Sequence, residues 1–129
     1  MIVYASRTGN VRYVTQTLHL PNIEMNEVQQ LTTPFLLFTY TDGLGDIPVL
    51  VERFMKQHYK LCRGVIVSGN SNFGHQVFGQ AGDKLAALYN IPLVCKLDLR
   101  GTAKDYAAIQ AFYYEHIQEG QHEAVFEIK

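Results

Sequence analysis

The sequence predicts a single α/β domain in which a five-stranded parallel sheet lies between two layers of helices. Short apolar runs alternate along the chain with segments whose apolar residues recur at helical spacing. This alternation indicates parallel strands joined by crossover helices. The 129 residues fit one domain of ordinary size, and the sequence contains no linker or repeat that would divide them. The domain is therefore predicted to span 1–129, with 121–129 as a candidate C-terminal tail.

The first part of the chain supplies three of the predicted strands. The apolar run 2–5 is the first strand, and a polar turn at 6–10 leads into the first helix. The second strand, 23–25, is short and alternating, whereas the third, 35–40, is almost continuously apolar. Pro48 is predicted at the first position of the second helix, where its fixed φ is favourable. The apolar positions of these two helices are Val11, Val14, Thr15, Leu18, Val51, Phe54, Met55 and His58.

The second part of the chain repeats the same unit. An apolar fourth strand at 64–68 is followed by the polar segment 69–74 and a third helix. The fifth strand, 92–100, alternates between apolar and polar residues. Thr102 and Asp105 then form a capping-box pattern at the start of the last helix. The apolar positions assigned to these elements are Phe78, Ala81, Leu85, Leu88, Leu93, Cys95, Leu97, Leu99, Tyr106, Ile109, Phe112, Tyr113 and Ile117.

The apolar patterns of the strands also indicate their order. The first, third and fourth strands are apolar throughout, as expected for interior strands of a parallel sheet, while the second and fifth alternate like edge strands. This favours the order 2-1-3-4-5. In that order the chain reverses direction between strands one and three, and ligands bind at such a switch point. The segments that begin at Ser6, Thr41 and Gly69 are predicted to converge there.

Charge and cysteine content exclude several classes of function. Eleven Lys and Arg residues against twelve Asp and Glu give a net charge of −1, so the chain has no basic surface for nucleic acid or anionic lipid. No apolar run approaches the ~18 residues of a membrane helix, and a cytoplasmic location is predicted. Cys62 and Cys95 lie far apart and are interpreted as two buried thiols, not as a zinc or redox pair.

The polar turn 6–10 has the composition of a phosphate site. Ser6 and Thr8 supply hydroxyls, and Gly9 precedes a helix whose first backbone N–H groups attract anions. The turn matches neither the Walker A pattern nor the dinucleotide fingerprint. The simpler alternative is that Thr8 and Asn10 are ordinary helix caps.

The next two segments add conformational freedom and an aromatic ring. Gly43 and Gly45 flank Leu44 and permit a peptide to reverse at low cost, although a plain tight turn is the alternative. Phe73 lies in a polar segment, where its ring suits stacking on a flat heteroaromatic ligand. Ser71 is not expected to be a nucleophile, because its G-x-S-x-x-G spacing is one residue longer than a nucleophile elbow.

Two further alternatives are disfavoured. A phosphoacceptor receiver domain has the same strand order but needs acidic residues after the first strand, where this chain has Ala5 and Ser6. Among the five histidines, His75 alone lies beside one of the three segments predicted to converge at the switch point, namely the third polar segment. A group of residues near the C-terminus is interpreted as a charged helix end and tail, so no metal site is predicted; its members are His116, Glu119, His122 and Glu123.

Four segments together resemble one family. They are SRTGNV at 6–11, YTDGLGDIP at 40–48, RGVIVSGNSNFG at 63–74 and LRGT at 99–102. In this order they are similar to the NrdI family, the small flavodoxin-like FMN proteins that serve class Ib ribonucleotide reductase. The resemblance covers essentially the whole chain, and it implies a flavodoxin-like three-layer sandwich.

The resemblance implies an activating flavoprotein that carries FMN, rather than a stand-alone enzyme. Members of the family receive electrons from a reductase, and their reduced flavin reacts with O2 to give superoxide. This oxidant reaches the dimanganese site of the small subunit, NrdF, for assembly of the Mn(III)2-tyrosyl radical cofactor. No catalytic side chain is implied, since the flavin carries the redox chemistry. The alternative is a general short-chain flavodoxin that only carries electrons.

The resemblance also implies which residues bind the cofactor. The segment 6–11 would hold the phosphate, and the flavin ring would lie between 41–45 and Phe73. Many relatives have an aromatic residue at the position of Leu44 and Trp at the position of Phe73. The acidic Asp42 and Asp46 are expected to oppose negative charge on the reduced flavin. The implied cofactor-binding residues are Ser6, Arg7, Thr8, Gly9, Asn10, Val11, Tyr40, Thr41, Asp42, Gly43, Leu44, Gly45, Asn70, Asn72, Phe73 and Gly74.

Overall fold

The computed structural model describes residues 1–118 and has a five-stranded parallel sheet at its centre. The strand order is β2-β1-β3-β4-β5, which confirms the predicted order 2-1-3-4-5. The strands are β1 (Ile2–Tyr4), β2 (Asn22–Glu24), β3 (Phe35–Tyr40), β4 (Cys62–Gly69) and β5 (Leu93–Asp98). The α-helices are α1 (Asn10–Leu18), α2 (Val49–His58), α3 (Gln80–Tyr89) and α4 (Ala103–Tyr113), and a π-helical turn at Tyr114–Gln118 follows α4.

Helices cover both faces of the sheet because successive residues of a strand point to opposite sides. Ile2 and Tyr4 of β1 belong to a core formed with α1 and α4, whereas Val3 and Ala5 belong to a second core formed with α2 and α3. The three interior strands are buried almost throughout, and β2 at one edge is only half-buried. The apolar patterns therefore identified the interior strands correctly.

The parallel register places the ends of the interior strands side by side. Tyr4 of β1 pairs with Phe38 of β3, and Phe38 pairs with Ile66 of β4. Three loops emerge together at this edge of the sheet. They are called here the first loop (5–9), the second loop (41–48) and the third loop (70–79). A fourth segment, the β5 turn (99–102), lies beside them. Their convergence confirms that the segments beginning at Ser6, Thr41 and Gly69 meet at the switch point of the sheet.

The predicted fifth strand differs from the structure in two ways. Val65 of β4 pairs with Leu93 while the next residue pairs with Cys95, so β5 contains an extra residue. This bulge shifts the side-chain alternation, and Leu93 packs in the core of α2 and α3 instead of sharing a face with Cys95. Leu99 lies outside the strand, with a left-handed φ of 57°. The prediction that β5 alternates to residue 100 is therefore wrong.

Three helix predictions also need correction. Pro48 precedes α2 with an extended ψ of 138°, so it is the N-cap residue and not the first helical residue. Phe78 precedes α3, because Gly79 has a left-handed φ of 63° and the helix starts after it. Leu88 is exposed rather than buried, since the core position at that end of α3 is taken by Tyr89. The predicted capping box of α4 is confirmed.

The remaining expectations concern the cysteines, membrane segments and the C-terminus. Both cysteines are free; Cys62 is buried as predicted, but Cys95 is only half-buried. None of the helices within 1–118 has the length and apolar character needed to cross a bilayer. The predicted tail 121–129 lies outside the described residues. So do three members of the C-terminal charged group, namely Glu119, His122 and Glu123.

Candidate functional site

A cavity of about 590 Å³ opens between the loops at the carboxyl ends of β1, β3 and β4. This position is the switch point of the sheet, where the chain reverses direction between β1 and β3. The residues that line it are Ser6, Arg7, Thr8, Asn10, Val11, Tyr40, Thr41, Asp42, Gly43, Ser68, Gly69, Asn70, Phe73, Val77 and Leu99.

The first loop leads into α1 through an N-cap residue that has no side chain to cap the helix. Gly9 is the N-cap residue, with a left-handed φ of 95° that glycine adopts readily. The Ser6 hydroxyl accepts a hydrogen bond from the Arg12 N–H at 3.3 Å. Neither Thr8 nor Asn10 caps α1 within residues 1–118, so the helix-cap alternative is wrong. The helix N-terminus and the Thr8 hydroxyl can thus meet an anionic group in the cavity.

The second loop is a tight turn built around two glycines. The backbone N–H groups of Gly45 and Asp46 donate to the Asp42 carbonyl at 3.1 and 2.7 Å. Gly43 and Gly45 have left-handed φ values of 47° and 105°. Gly45 is buried, and a Cβ atom there would overlap the Gln80 side chain. The turn therefore requires glycine at this position.

The third loop presents an aromatic ring to the cavity. The Asn70 side chain accepts a hydrogen bond from the Asn72 N–H at 2.9 Å, and the Phe73 N–H donates to the Asn70 carbonyl at 3.2 Å. These bonds form the 3-10 turn Ser71–Phe73. Phe73 at its end lines the cavity, yet its side chain remains 60% exposed. A ring held in this way can cover one face of a flat ligand.

Both acidic side chains of the second loop face a cation. Arg7 Nη1 lies 2.5 Å from Asp42 Oδ1, and the Arg7 guanidinium also lies 5.0 Å from the centre of the Tyr40 ring. Lys84 Nζ lies 3.5 Å from Asp46 Oδ1. These pairs offset the negative charge that the sequence suggested for this side of the cavity.

Ser68 and Arg100 connect the remaining segments. The Ser68 carbonyl accepts hydrogen bonds from the backbone N–H and the hydroxyl of Thr41, at 3.1 and 3.2 Å. The Ser68 hydroxyl donates to the Leu99 carbonyl at 2.6 Å. Arg100 Nε donates to Asn10 Oδ1 at 3.3 Å. Together with the Arg7–Asp42 pair, these contacts link the second loop to β4, β4 to the β5 turn, the β5 turn to α1, and the first loop to the second.

Most of the residues predicted to bind a cofactor lie on the cavity wall. From the first loop and α1, the lining residues include Ser6, Arg7, Thr8, Asn10 and Val11. From the other two loops and the end of β3 they include Tyr40, Thr41, Asp42, Gly43, Asn70 and Phe73. The other predicted residues belong to the same segments but do not line the cavity; they are Gly9, Leu44, Gly45, Asn72 and Gly74.

Four lining residues were not predicted from the sequence. Leu99 belongs to the LRGT segment, which could have identified it, and its left-handed backbone carries its side chain to the cavity. Ser68 and Gly69 end an apolar strand at the edge of the sheet where ligands bind, and this position could have identified them as lining residues. No sequence signal marks Val77. His75 is exposed and does not line the cavity.

The sheet order and the switch-point cavity define a flavodoxin-like protein. Similar solved structures include a short-chain flavodoxin associated with a non-canonical PDU bacterial microcompartment, with a TM-score of 0.68, 19% identity, and coverage of 86% of this chain and 90% of that one. A family model described as NrdI flavodoxin-like matches residues 2–111. The chain belongs to the NrdI family.

Other comparisons agree with this assignment. Protein NrdI of Deinococcus radiodurans is 38% identical over 121 residues, covering 91% of this chain and 84% of the relative. Protein NrdI of Bacillus licheniformis is 38% identical over 105 residues, covering 81% and 79%. A Fusobacterium nucleatum flavodoxin bound to flavin mononucleotide shares the fold, with a TM-score of 0.54, 13% identity, and coverage of 88% of this chain and 93% of that one.

Proposed function

We propose that this chain binds FMN in the switch-point cavity and serves as the activating flavoprotein of a class Ib ribonucleotide reductase. The observation that carries the proposal is the convergence of three loops on one cavity of about 590 Å³. That volume falls within the range of roughly 300–1,000 Å³ typical of cofactor and ligand sites. Membership of the NrdI family supports the same role.

The first loop and α1 have the groups that a phosphate ester needs. The N-terminus of α1 carries partial positive charge, and Gly9 places no side chain over it. Ser6, Thr8 and Asn10 line the adjacent wall with hydroxyl and amide groups. A phosphate dianion at this end of the cavity would accept hydrogen bonds from backbone and side-chain donors.

The other end of the cavity suits a flat aromatic ring. Phe73, Leu99 and Tyr40 contribute apolar surface, and Phe73 and Leu99 are 60% and 44% exposed. Leu44 lies at the tip of the second loop and is 74% exposed. A flavin ring between the second and third loops would cover part of this apolar surface. The exposed rim would also offer apolar contacts to the partner subunit, NrdF.

The redox step belongs to the cofactor and the partner, while this chain binds and orients. Bound FMN, reduced by an electron-donating reductase, would supply the one-electron reduction of O2 to superoxide, the oxidant for assembly of the Mn(III)2-tyrosyl radical in dimanganese NrdF. The second loop would support the flavin edge, with Gly43 and Gly45 allowing a peptide to turn toward it. The Arg7–Asp42 pair would limit the charge beside it.

Two measurements, made one after the other, test this function. Reconstitution of the purified chain with FMN should give a yellow protein with saturable binding, and failure to bind FMN would refute the proposal. The reduced holoprotein is then mixed with O2 and Mn(II)-loaded NrdF, and the tyrosyl radical is measured by EPR. Absence of the radical, with NrdF shown to be competent, would exclude the activating role and favour the alternative of an electron-carrying flavodoxin.

A further inference from the structure

The third loop carries Phe73 but does not by itself determine where that ring lies. The loop leaves β4 after Gly69 and enters α3 at Gln80. Its internal hydrogen bonds close short turns, such as Phe73 N–H to the Asn70 carbonyl, and the Phe73 side chain is largely exposed. Such bonds shape the loop without fixing it relative to the sheet. Contacts from outside the loop must therefore hold it at the cavity.

Asp98, at the end of β5, holds the start of the third loop. Its Oδ1 accepts a hydrogen bond from the Ser71 N–H at 3.1 Å, and its Oδ2 accepts one from the Ser71 hydroxyl at 2.5 Å. These two bonds hold the pKa of Asp98 below its ordinary value, and the bond from the Ser71 hydroxyl has the larger effect. The adjacent backbone adds a bond from the Leu99 N–H to the Gly69 carbonyl at 2.7 Å.

Lys96 holds the end of the same loop. Its Nζ donates to the Phe78 carbonyl at 3.2 Å and to Asp83 Oδ2 at 2.6 Å. Its aliphatic stem packs close to Gly79, where an added Cβ would lie 2.8 Å from Lys96 Cδ. Lys96 and Asp98 are two residues apart in one strand and thus share a face of β5.

We propose that Asp98 and Lys96 are positioning residues that anchor the two ends of the third loop to β5 and so place Phe73 against the bound flavin. The inference rests on the proposed function, because it assumes that Phe73 contacts FMN. The anchoring hydrogen bonds join groups of this chain alone, so the proposal includes ordering of the loop before FMN binds. Binding then avoids the entropic cost of ordering the loop.

A double-mutant cycle on FMN affinity tests the role of Asp98. Asp98→Ala should weaken binding about tenfold in the otherwise unchanged chain, and it should cause little further loss in the Phe73→Ala background. Asp98→Asn, which retains an oxygen acceptor for the Ser71 N–H, should recover part of the affinity. Glu52→Ala is the control, because Glu52 is also an exposed carboxylate but lies on α2, where its partner is Lys56. An equal loss in both backgrounds, or no loss in either, would overturn the proposal.

A second experiment does not depend on FMN. Amide hydrogen exchange of the protein without cofactor should be faster at Ser71 and Phe73 in Asp98→Ala, and faster at Phe78 in Lys96→Met, while Val67 in β4 keeps its protection. If the unaltered chain fails to bind FMN, the proposed function is lost, but this comparison still decides whether β5 holds the loop. Unchanged exchange in both variants would refute the anchoring role.

Discussion

Replacing Phe73 with Ala should weaken FMN binding about 30-fold to 150-fold. A Phe side chain offers roughly 200 Å² of surface, of which 60% is exposed at Phe73. A flat ligand covering one face of the ring would bury about half of that exposed area, or ~60 Å², which corresponds to ~1.5 kcal/mol at 25 cal/mol per Å². Specific ring stacking adds about 0.5–1.5 kcal/mol. Together these terms give the expected loss.

Titration of FMN fluorescence against each protein variant measures this loss. Phe73→Trp should bind at least as well as the unaltered chain, since a larger ring is retained. Tyr114→Ala is the matched control, because Tyr114 is a 55% exposed aromatic residue that does not line the cavity. A folded Phe73→Ala variant with unchanged affinity would refute the stacking role. A comparable loss in Tyr114→Ala would instead attribute the effect to the fold.

Three further predictions concern the charge beside the flavin, the cap of α4 and the dependence of stability on pH. Arg7→Ala should lower the midpoint potential of the bound flavin by up to about 40 mV, because it leaves Asp42 unpaired; Asp42→Asn should raise it. Thr102→Ala should cost about 1 kcal/mol of unfolding free energy by removing the capping box of α4. Burial raises the pKa of Cys62 to about 11, so the folded state retains its proton above pH 9 and stability should fall by about 2–3 kcal/mol between pH 9 and 11.

Each of these three predictions has its own measurement and control variant. Potentials are measured by spectroelectrochemistry, and Glu52→Gln should leave them unchanged; shifts of the same sign in Arg7→Ala and Asp42→Asn would contradict the charge argument. Urea denaturation tests the cap, with Thr17→Ala as a control whose hydroxyl donates to the Tyr13 carbonyl within its own helix. Cys62→Ala should show a shallower loss of stability above pH 9, and an identical slope would exclude Cys62 as its source.

Local patterns predicted the strands of the sheet because burial on two faces requires a continuous apolar run. The segments 2–5, 35–40 and 64–68 satisfied this condition, and the structure places them at β1, β3 and β4. The alternation rule failed in β5, since a single extra residue changes which side chains face each core. Such a bulge depends on pairing with β4, and no periodicity within β5 records it.

The sequence by itself determined the strand order, the edge of the sheet where the cavity lies and, through the family resemblance, most of the residues that line it. Only the tertiary structure decided the contacts that shape it. The partners in the pairs Arg7–Asp42 and Ser71–Asp98 are separated by 35 and 27 positions in the chain. A hydrogen bond requires its atoms to lie within about 3 Å, and strand register, twist and loop conformation together set such distances. Apolar periodicity reports burial alone, so it leaves these pairings undetermined.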